Sequence, residues 1–183
     1  MATHATAARI ACQAPRAARR TGRRLWSRCT RDPRYAEQHR ATGIDISENQ
    51  IELARRNVPE ARFVQGDVMQ IGFPSEAFDA IVAFYVIEHV PREEHADLFA
   101  RWARWLRPGG HLLFTIEPHD EPGVVGDWLG APMFFSHFDS QKTLMLMQGA
   151  GFILVDQAVE VQLEKDHDVA YMWVLAQLRE TGL

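Results

Sequence analysis

Short apolar runs alternate with helical stripes of apolar side chains from residue 41 onward. Residues 79–85 carry Ile81, Val82, Ala83 and Phe84 without a break, which is typical of a parallel strand covered on both faces. Strands that alternate with helical patterns predict an α/β fold with a wound, mostly parallel sheet. Further strands are predicted at residues 41–45, 62–65, 111–116, 152–161 and 169–178.

Three helices are predicted from their caps and their apolar spacing. Ser47 is placed as an N-cap with Gln50 three residues later, which is the pattern of a capping box. Asp139 or Ser140 caps the last helix. The middle helix, which Pro91 opens, carries one buried stripe at Leu98, Phe99, Trp102, Trp105 and Leu106.

Residues 117–139 are predicted to form a long loop at the carboxyl edge of the sheet. A loop of this length is more often a lid or a substrate wall than a plain connection. An apolar wall for an acceptor molecule explains its composition, and burial of the loop on the sheet explains it too. Its aromatic and histidine side chains toward the end are Trp128, Phe134, Phe135, His137 and Phe138.

Charge divides the chain into two parts. Residues 1–40 hold ten Arg and two acids, a net +8, whereas residues 41–183 hold ten Lys or Arg and 22 acids, a net −12. We expect residues 1–40 to be disordered or out of frame, and residues 41–183 to form the domain. The acidic domain argues against nucleic acid as a partner. The alternatives for the basic segment are a genuine arm for nucleic acid or an acidic membrane surface, and a mitochondrial transit peptide.

The sequence predicts no metal site and no membrane partner. Cys12 and Cys29 give neither a disulfide framework nor zinc-ligand spacing, which favours a reducing, cytoplasmic location. His119 and His137 do not form a metal pair on spacing alone. No stretch approaches the roughly 18–20 apolar residues that cross a bilayer.

Five short motifs follow one another along residues 41–178. They are Gly43-Ile44-Asp45-Ile46-Ser47, Gly66-Asp67-Val68, Phe78-Asp79-Ala80-Ile81-Val82, Ile87-Glu88-His89-Val90 and Leu106-Arg107-Pro108-Gly109-Gly110. Each is weak alone, but together they resemble the class I S-adenosylmethionine-dependent methyltransferases that act on small molecules. The resemblance implies a seven-stranded Rossmann-like sheet with an antiparallel last strand, S-adenosyl-L-methionine as cofactor and a small-molecule acceptor.

The resemblance also implies a cofactor site at the carboxyl ends of the strands. Asp45, with Ile46 beside it, would accept hydrogen bonds from the two ribose hydroxyls. Its alternative role is to support the helix cap that follows. Asp67 resembles the acid that reads the adenine amino group, with Val68 against the ring. Its alternative role is an Asx turn.

The reacting side of the implied site carries less distinctive residues. Phe84, with its neighbours Ala83 and Tyr85, would wall the methyl-transfer site, and core packing explains Phe84 as well. His89 and His137 are the candidate catalytic bases, needed only for some acceptors. For Glu88 and His89, capping or packing is an equal alternative.

The Gly-x-Gly cofactor loop of the family is lacking in this sequence. Gly22 is the only glycine before Gly43, and residues 16–34 contain no run apolar enough for the preceding strand. Glycine is needed there because the methionine part of the cofactor lies against the backbone. The lost strand would lie in the middle of the sheet, between the strands at Asp45 and Asp79, so two strand edges would lack a partner.

These observations predict methyl transfer to a small molecule, impaired in this chain by the lack of the loop. A non-catalytic methyltransferase-fold remnant or partner subunit is one alternative. An RNA-binding protein that uses the basic N-terminal arm is the other. The oligomeric state is not determined by the sequence.

The absence of the Gly-x-Gly loop from this sequence leads to a prediction about the coding DNA. Read one nucleotide later, with a permitted choice of codons, residues 20–33 become V-L-D-V-G-C-G-P-G-A-P-A-T-R, which contains the strand and the glycine loop. We therefore expect residues up to about Arg34 to be an out-of-frame translation. Sequencing the gene tests this, and codons that give no glycines around Trp26 and Arg28 in the shifted frame would contradict it.

Overall fold

A computed structural model of the chain describes residues 41–128, 130–164 and 167–180. The predictions for residues 1–40, which concern the reading frame, the basic arm and the two cysteines, lie outside the described residues.

The described chain alternates strands and helices as the sequence predicts. Short 3₁₀ turns lie at Ile87–His89 and Arg92–Glu94. The strands and helices, in chain order, are β1 (Thr42–Asp45), α1 (Glu48–Asn57), β2 (Arg62–Gln65), β3 (Phe78–Ala83), α2 (His95–Trp105), β4 (Leu106–Ile116), β5 (Glu121–Trp128), β6 (Ala131–His137), α3 (Ser140–Gly149), β7 (Phe152–Glu164) and β8 (His167–Leu178).

The larger sheet has four strands in the order β3-β4-β8-β7. β3 pairs with β4 in parallel, and β8 runs antiparallel to both of its neighbours, β4 and β7. Three of the four strands therefore share one direction and the last strand opposes them. This confirms the predicted α/β class with an antiparallel last strand.

The sheet is interrupted between β1 and β3. β1 and β2 form a separate parallel pair, and within the described residues no strand pairs with the free side of β3 or continues the β1–β2 pair. Ile44 of β1 and Ile81 of β3 nevertheless belong to the same hydrophobic core. The interruption falls where the sequence analysis places the lost first strand, and residues 1–40 lie outside the described residues.

The segment after β4 differs from the predicted loop. It contains an antiparallel hairpin, in which β5 pairs with β6 through Val124 and Phe135 and through Trp128 and Ala131. Gly130 has φ +87° in the turn between the strands, and Asp127 Oδ1 accepts a hydrogen bond from its N–H at 3.2 Å. Prolines and glycines near the strand ends usually indicate loops, so the sequence pattern does not predict this strand pairing.

The aromatic stripe of α2 lies at the centre of the core, as predicted. Phe99 packs edge-on against Trp102 and Phe114, with ring centroids 5.6 Å and 5.5 Å apart. The stripe is fully buried at Leu98, Phe99, Trp102 and Trp105, and Leu106 follows at 1% exposure. This contact fixes α2 on the face of β4 and sets the position of the β3–β4 pair.

No helix in the described part of the chain is both long enough and apolar enough to span a membrane.

The central position of α2 leads to a stability prediction. We expect Phe99→Ala to lower the free energy of unfolding by about 3–5 kcal/mol, because it removes a buried ring and leaves a cavity. Urea unfolding followed by circular dichroism measures this. Arg104→Ala, at an exposed position of the same helix, is the control and should change stability by less than about 0.5 kcal/mol. Equal effects of the two substitutions would contradict the packing described here.

Candidate functional site

The carboxyl ends of β1 and β2 bring the two predicted cofactor acids to one edge. The strands run parallel with Asp45 opposite Gln65, and the Gly66 N–H donates to the Asp45 carbonyl oxygen at 2.9 Å. Gly66 has φ +156°, and a Cβ there would lie 2.9 Å from Cδ1 of Ile71. Glycine at this position therefore allows the chain to turn so that Asp67 follows directly at the same edge.

Asp45 supports the start of α1 in this structure. Its side chain is 8% exposed, and Oδ1 accepts a hydrogen bond from the Ser47 N–H at 2.8 Å. Ser47 in turn caps the helix by accepting from the Gln50 N–H at 3.4 Å. The alternative role given for Asp45 is thus present. Ribose binding remains a prediction.

Asp67 forms the Asx turn that the sequence left as an alternative. Its Oδ1 accepts from the Met69 N–H at 2.8 Å, which fixes the side chain at the end of β2. Val68 is 3% exposed and belongs to the hydrophobic core, whereas Ile46 is half-buried. Asp67 and Ile46 are therefore the more accessible members of the predicted adenosine site, and Val68 mainly shapes its floor.

Phe84 and Tyr85 follow the carboxyl end of β3. Phe84 is 5% exposed and packs on Trp173, with centroids 5.1 Å apart, so the core role is present. Tyr85 has φ +55°, a left-handed conformation that is uncommon for a residue with a side chain. Its N–H donates to Thr115 Oγ1 at 2.9 Å and its hydroxyl to Gln162 Oε1 at 3.0 Å. These bonds compensate the backbone strain at the strand end where the methyl-transfer wall is predicted.

His89 attaches the hairpin to the turn after β3. Its ring is 9% exposed and packs against Phe135, and Nδ1 lies 2.9 Å from the Phe134 carbonyl oxygen. A carbonyl oxygen only accepts, so Nδ1 carries the proton and Nε2 is the basic atom. The packing role predicted as an alternative is therefore present, together with the tautomer that a base at Nε2 requires.

His137 lies at the end of β6 and is 1% exposed. Its Nδ1 donates to the His119 carbonyl oxygen at 2.8 Å, and the two imidazole rings meet edge to face with centroids 4.8 Å apart. His119 Nε2 is 3.6 Å from Glu117 Oε2. The two predicted bases thus have different surroundings, His89 among aromatic rings and His137 in a polar cluster at the base of the hairpin.

Glu117 and His119 were not among the predicted site residues. The signal available in the sequence was a polar Glu-Pro-His segment placed directly after the apolar run of β4. The proximity of His137, 18 residues further on, arises only because the hairpin returns the chain to its starting point.

Comparisons with known proteins show similarity to methyltransferases. A protein-family profile described as "Methyltransferase domain" matches residues 26–114, just under half of the chain. A phthiotriol/phenolphthiotriol dimycocerosates methyltransferase of Mycobacterium leprae is 34% identical over 93 residues, which cover 48% of this chain and 32% of that protein. The chain spans about a third of the length of the curated relatives it matches.

Solved structures show the same fold. An S-adenosylmethionine-dependent methyltransferase of Methanosarcina mazei superposes with a TM-score of 0.65 at 20% identity, covering 76% of this chain and 82% of that one. A 1,6-didemethyltoxoflavin-N1-methyltransferase of Burkholderia thailandensis, solved with its substrate and S-adenosylhomocysteine, gives 0.61 at 22% identity, covering 82% and 67%. Sequence and fold together confirm the resemblance to class I S-adenosylmethionine-dependent methyltransferases.

The described residues fit the nucleoside half of that cofactor. The two acids stand at adjacent strand ends, and an acid near a strand end of a Rossmann-like sheet can accept a hydrogen bond from a ribose hydroxyl. The Gly-x-Gly loop of the family, which would meet the methionine half, is lacking in this sequence, and residues 1–40 lie outside the described residues.

Two buried histidines lead to a prediction about stability and pH. Burial lowers the pKa of both His95 and His137 below the ordinary histidine value of 6.5. As the pH falls, the unfolded chain therefore takes up protons on these histidines at a higher pH than the folded chain does. The free energy of unfolding has its full value above about pH 6.5 and decreases as the pH falls below it. We expect the urea midpoint to fall between about pH 7.5 and pH 5.5.

The substitutions His95→Gln and His137→Gln, combined in one variant, should reduce that fall. His111→Gln, at an exposed position, is the matched control and should keep it. A double variant with the same pH dependence as the parent would show that these two histidines do not cause it.

Proposed function

We propose that this chain binds S-adenosyl-L-methionine at the carboxyl edge of β1 and β2 and transfers its methyl group to a small-molecule acceptor. The observation that carries the proposal is the placement of Asp45 and Asp67 at adjacent parallel strand ends, joined by the Gly66–Asp45 backbone hydrogen bond of 2.9 Å. The methyltransferase relatives and the shared fold support it.

Each residue at the carboxyl edge of β1 and β2 would contact a different part of the adenosine. The Asp45 carboxylate would accept from the ribose hydroxyls, and Asp67 from the adenine amino group. Ile46 and Val68 would contact the apolar faces, and Phe84 would close the site toward β3. When bound, the cofactor supplies a methyl group activated by its positively charged sulfur. The contribution of the protein is therefore mainly to position the acceptor and to exclude water.

The hairpin is the element best placed to hold the acceptor. It is attached beside β3 through His89, whose Nδ1 donates to the Phe134 carbonyl, and through the Arg92 N–H, which donates to Ser136 Oγ at 3.1 Å. Phe135 packs against the His89 ring at 5.0 Å between centroids. An apolar or aromatic acceptor would suit these rings.

His89 is the better placed of the two proposed bases for an acceptor that must lose a proton. It lies in the 3₁₀ turn Ile87–His89, which comes after β3, and its Nδ1–H donation to a carbonyl leaves Nε2 as the acceptor. His137, the second candidate, donates from Nδ1 in the same way but is 1% exposed. A cytoplasmic location is proposed with this function, since a soluble small-molecule acceptor and a reduced chain are expected there.

Calorimetric titration of the full chain with S-adenosylhomocysteine tests the proposal. We expect saturable binding that Asp45→Ala and Asp67→Ala each weaken by about tenfold or more, because a lost charge-assisted hydrogen bond costs about 1.5 kcal/mol or more. Asp45→Asn keeps an acceptor for the Ser47 N–H and separates the loss of charge from the loss of the turn.

Asp97→Ala, at an exposed position of α2, is the control acid and should bind like the parent. A folded parent that does not bind would leave a methyltransferase fold without cofactor binding, which is the non-catalytic alternative. Binding that is unchanged in both strand-end variants would place the ligand elsewhere.

A further inference from the structure

We propose that Glu117, His119 and His137 form a binding site for a divalent first-row transition metal such as zinc. This site is separate from the strand-end acids and does not depend on methyl transfer. One ligand atom from each residue can be chosen so that all three lie within 4.8 Å of one another. The three residues form a mixed cluster of two imidazoles and one carboxylate at the base of the hairpin.

The spacing of the cluster is close to that of a metal site. Glu117 Oε2 and His119 Nε2 are 3.6 Å apart. Zinc binds nitrogen and carboxylate oxygen at about 2.0–2.2 Å in tetrahedral geometry, which places ligand atoms about 3.3–3.5 Å from one another. The side chain of His119 is 60% exposed and can move by the remaining ångström without disturbing the core.

The hydrogen bond of His137 prepares it as a ligand. Its Nδ1–H donates to the His119 carbonyl oxygen at 2.8 Å, so the lone pair of the ring is on Nε2. Ligating histidines usually donate their second N–H to a carbonyl or carboxylate, which fixes the tautomer and the ring orientation. Burial of His137 favours the neutral imidazole, which is the form that binds a metal.

The ligand set selects the class of metal. Two imidazole nitrogens disfavour magnesium and calcium, which prefer oxygen, and favour zinc and its neighbours in the first transition row. A set of two histidines and one glutamate fills three tetrahedral positions and leaves the fourth for water or a bound molecule. The side chain of Glu117 is 15% exposed, so the carboxylate is partly shielded from water beside the imidazoles.

The position of the cluster gives the metal a structural consequence. Glu117 directly follows β4, and His137 ends β6, so the site joins the two ends of the hairpin segment. A bridge between the two ends of a long chain segment reduces the conformational entropy that the segment loses on folding. Metal binding to the folded state should therefore stabilise the protein against heat.

Cobalt(II) titration of the full chain tests the site, because tetrahedral cobalt gives visible absorption that zinc does not. The chain is first freed of metal with a chelator and carries Cys12→Ser and Cys29→Ser, so that thiolates do not contribute. We expect one equivalent of cobalt to bind, zinc to displace it, and zinc to raise the melting temperature.

Variants at the cluster distinguish a metal site from a Glu–His ion pair. His119→Ala and the isosteric Glu117→Gln should each weaken cobalt binding by about tenfold or more, with unchanged circular dichroism. His111→Ala removes an exposed histidine outside the cluster and should bind like the parent. His119 is the main test residue because it is exposed, whereas a change at the buried His137 would also remove its hydrogen bond to the His119 carbonyl oxygen.

Two outcomes would overturn the proposal. The first is a folded parent that binds no cobalt. The second is binding that His119→Ala leaves unchanged, which would place the metal at other histidines of the chain. Both outcomes are independent of S-adenosylhomocysteine binding, so a failure here does not bear on the proposed cofactor site.

Discussion

Burial of the α2 aromatic stripe against β4 is the constraint on which the other elements depend. Phe99 and Trp102 are fully excluded from water and pack against each other, and Phe99 contacts Phe114 of β4, so the helix and the strand hold each other in place. β3 pairs with β4 in parallel, which aligns their carboxyl ends. The turn after β3, and with it His89, is positioned by this packing.

Local hydrogen bonds make the strand-end acids part of the fold as well as candidates for binding. Asp45 and Asp67 each accept from a backbone N–H two residues later, at 2.8 Å. Such turns hold a carboxylate at a fixed place before a ligand arrives, which lowers the ordering cost of binding. The structural roles foreseen as alternatives and the proposed binding roles are thus compatible at the same side chains.

The β5–β6 hairpin contributes residues to both the proposed acceptor site and the proposed metal site. Through His89 and Ser136 it is attached next to the carboxyl end of β3, and through His137 it closes on the segment that follows β4. A metal at its base would help to hold the proposed acceptor wall in place. The two sites would then act together, one by binding the nucleoside and the other by ordering the acceptor wall.

The sequence by itself determined the strands, the helices, the stripe of α2 and the acids at the strand ends, because these follow from local periodicity, caps and short motifs. It did not reveal the hairpin, whose cross-strand pairing is hidden by prolines and glycines. The proximity of Glu117, His119 and His137 was not predicted either, because the spacing of the two histidines alone does not indicate a metal pair. Only the tertiary structure decided these contacts, because side chains distant in the chain become neighbours when the strands pair and the hairpin folds back.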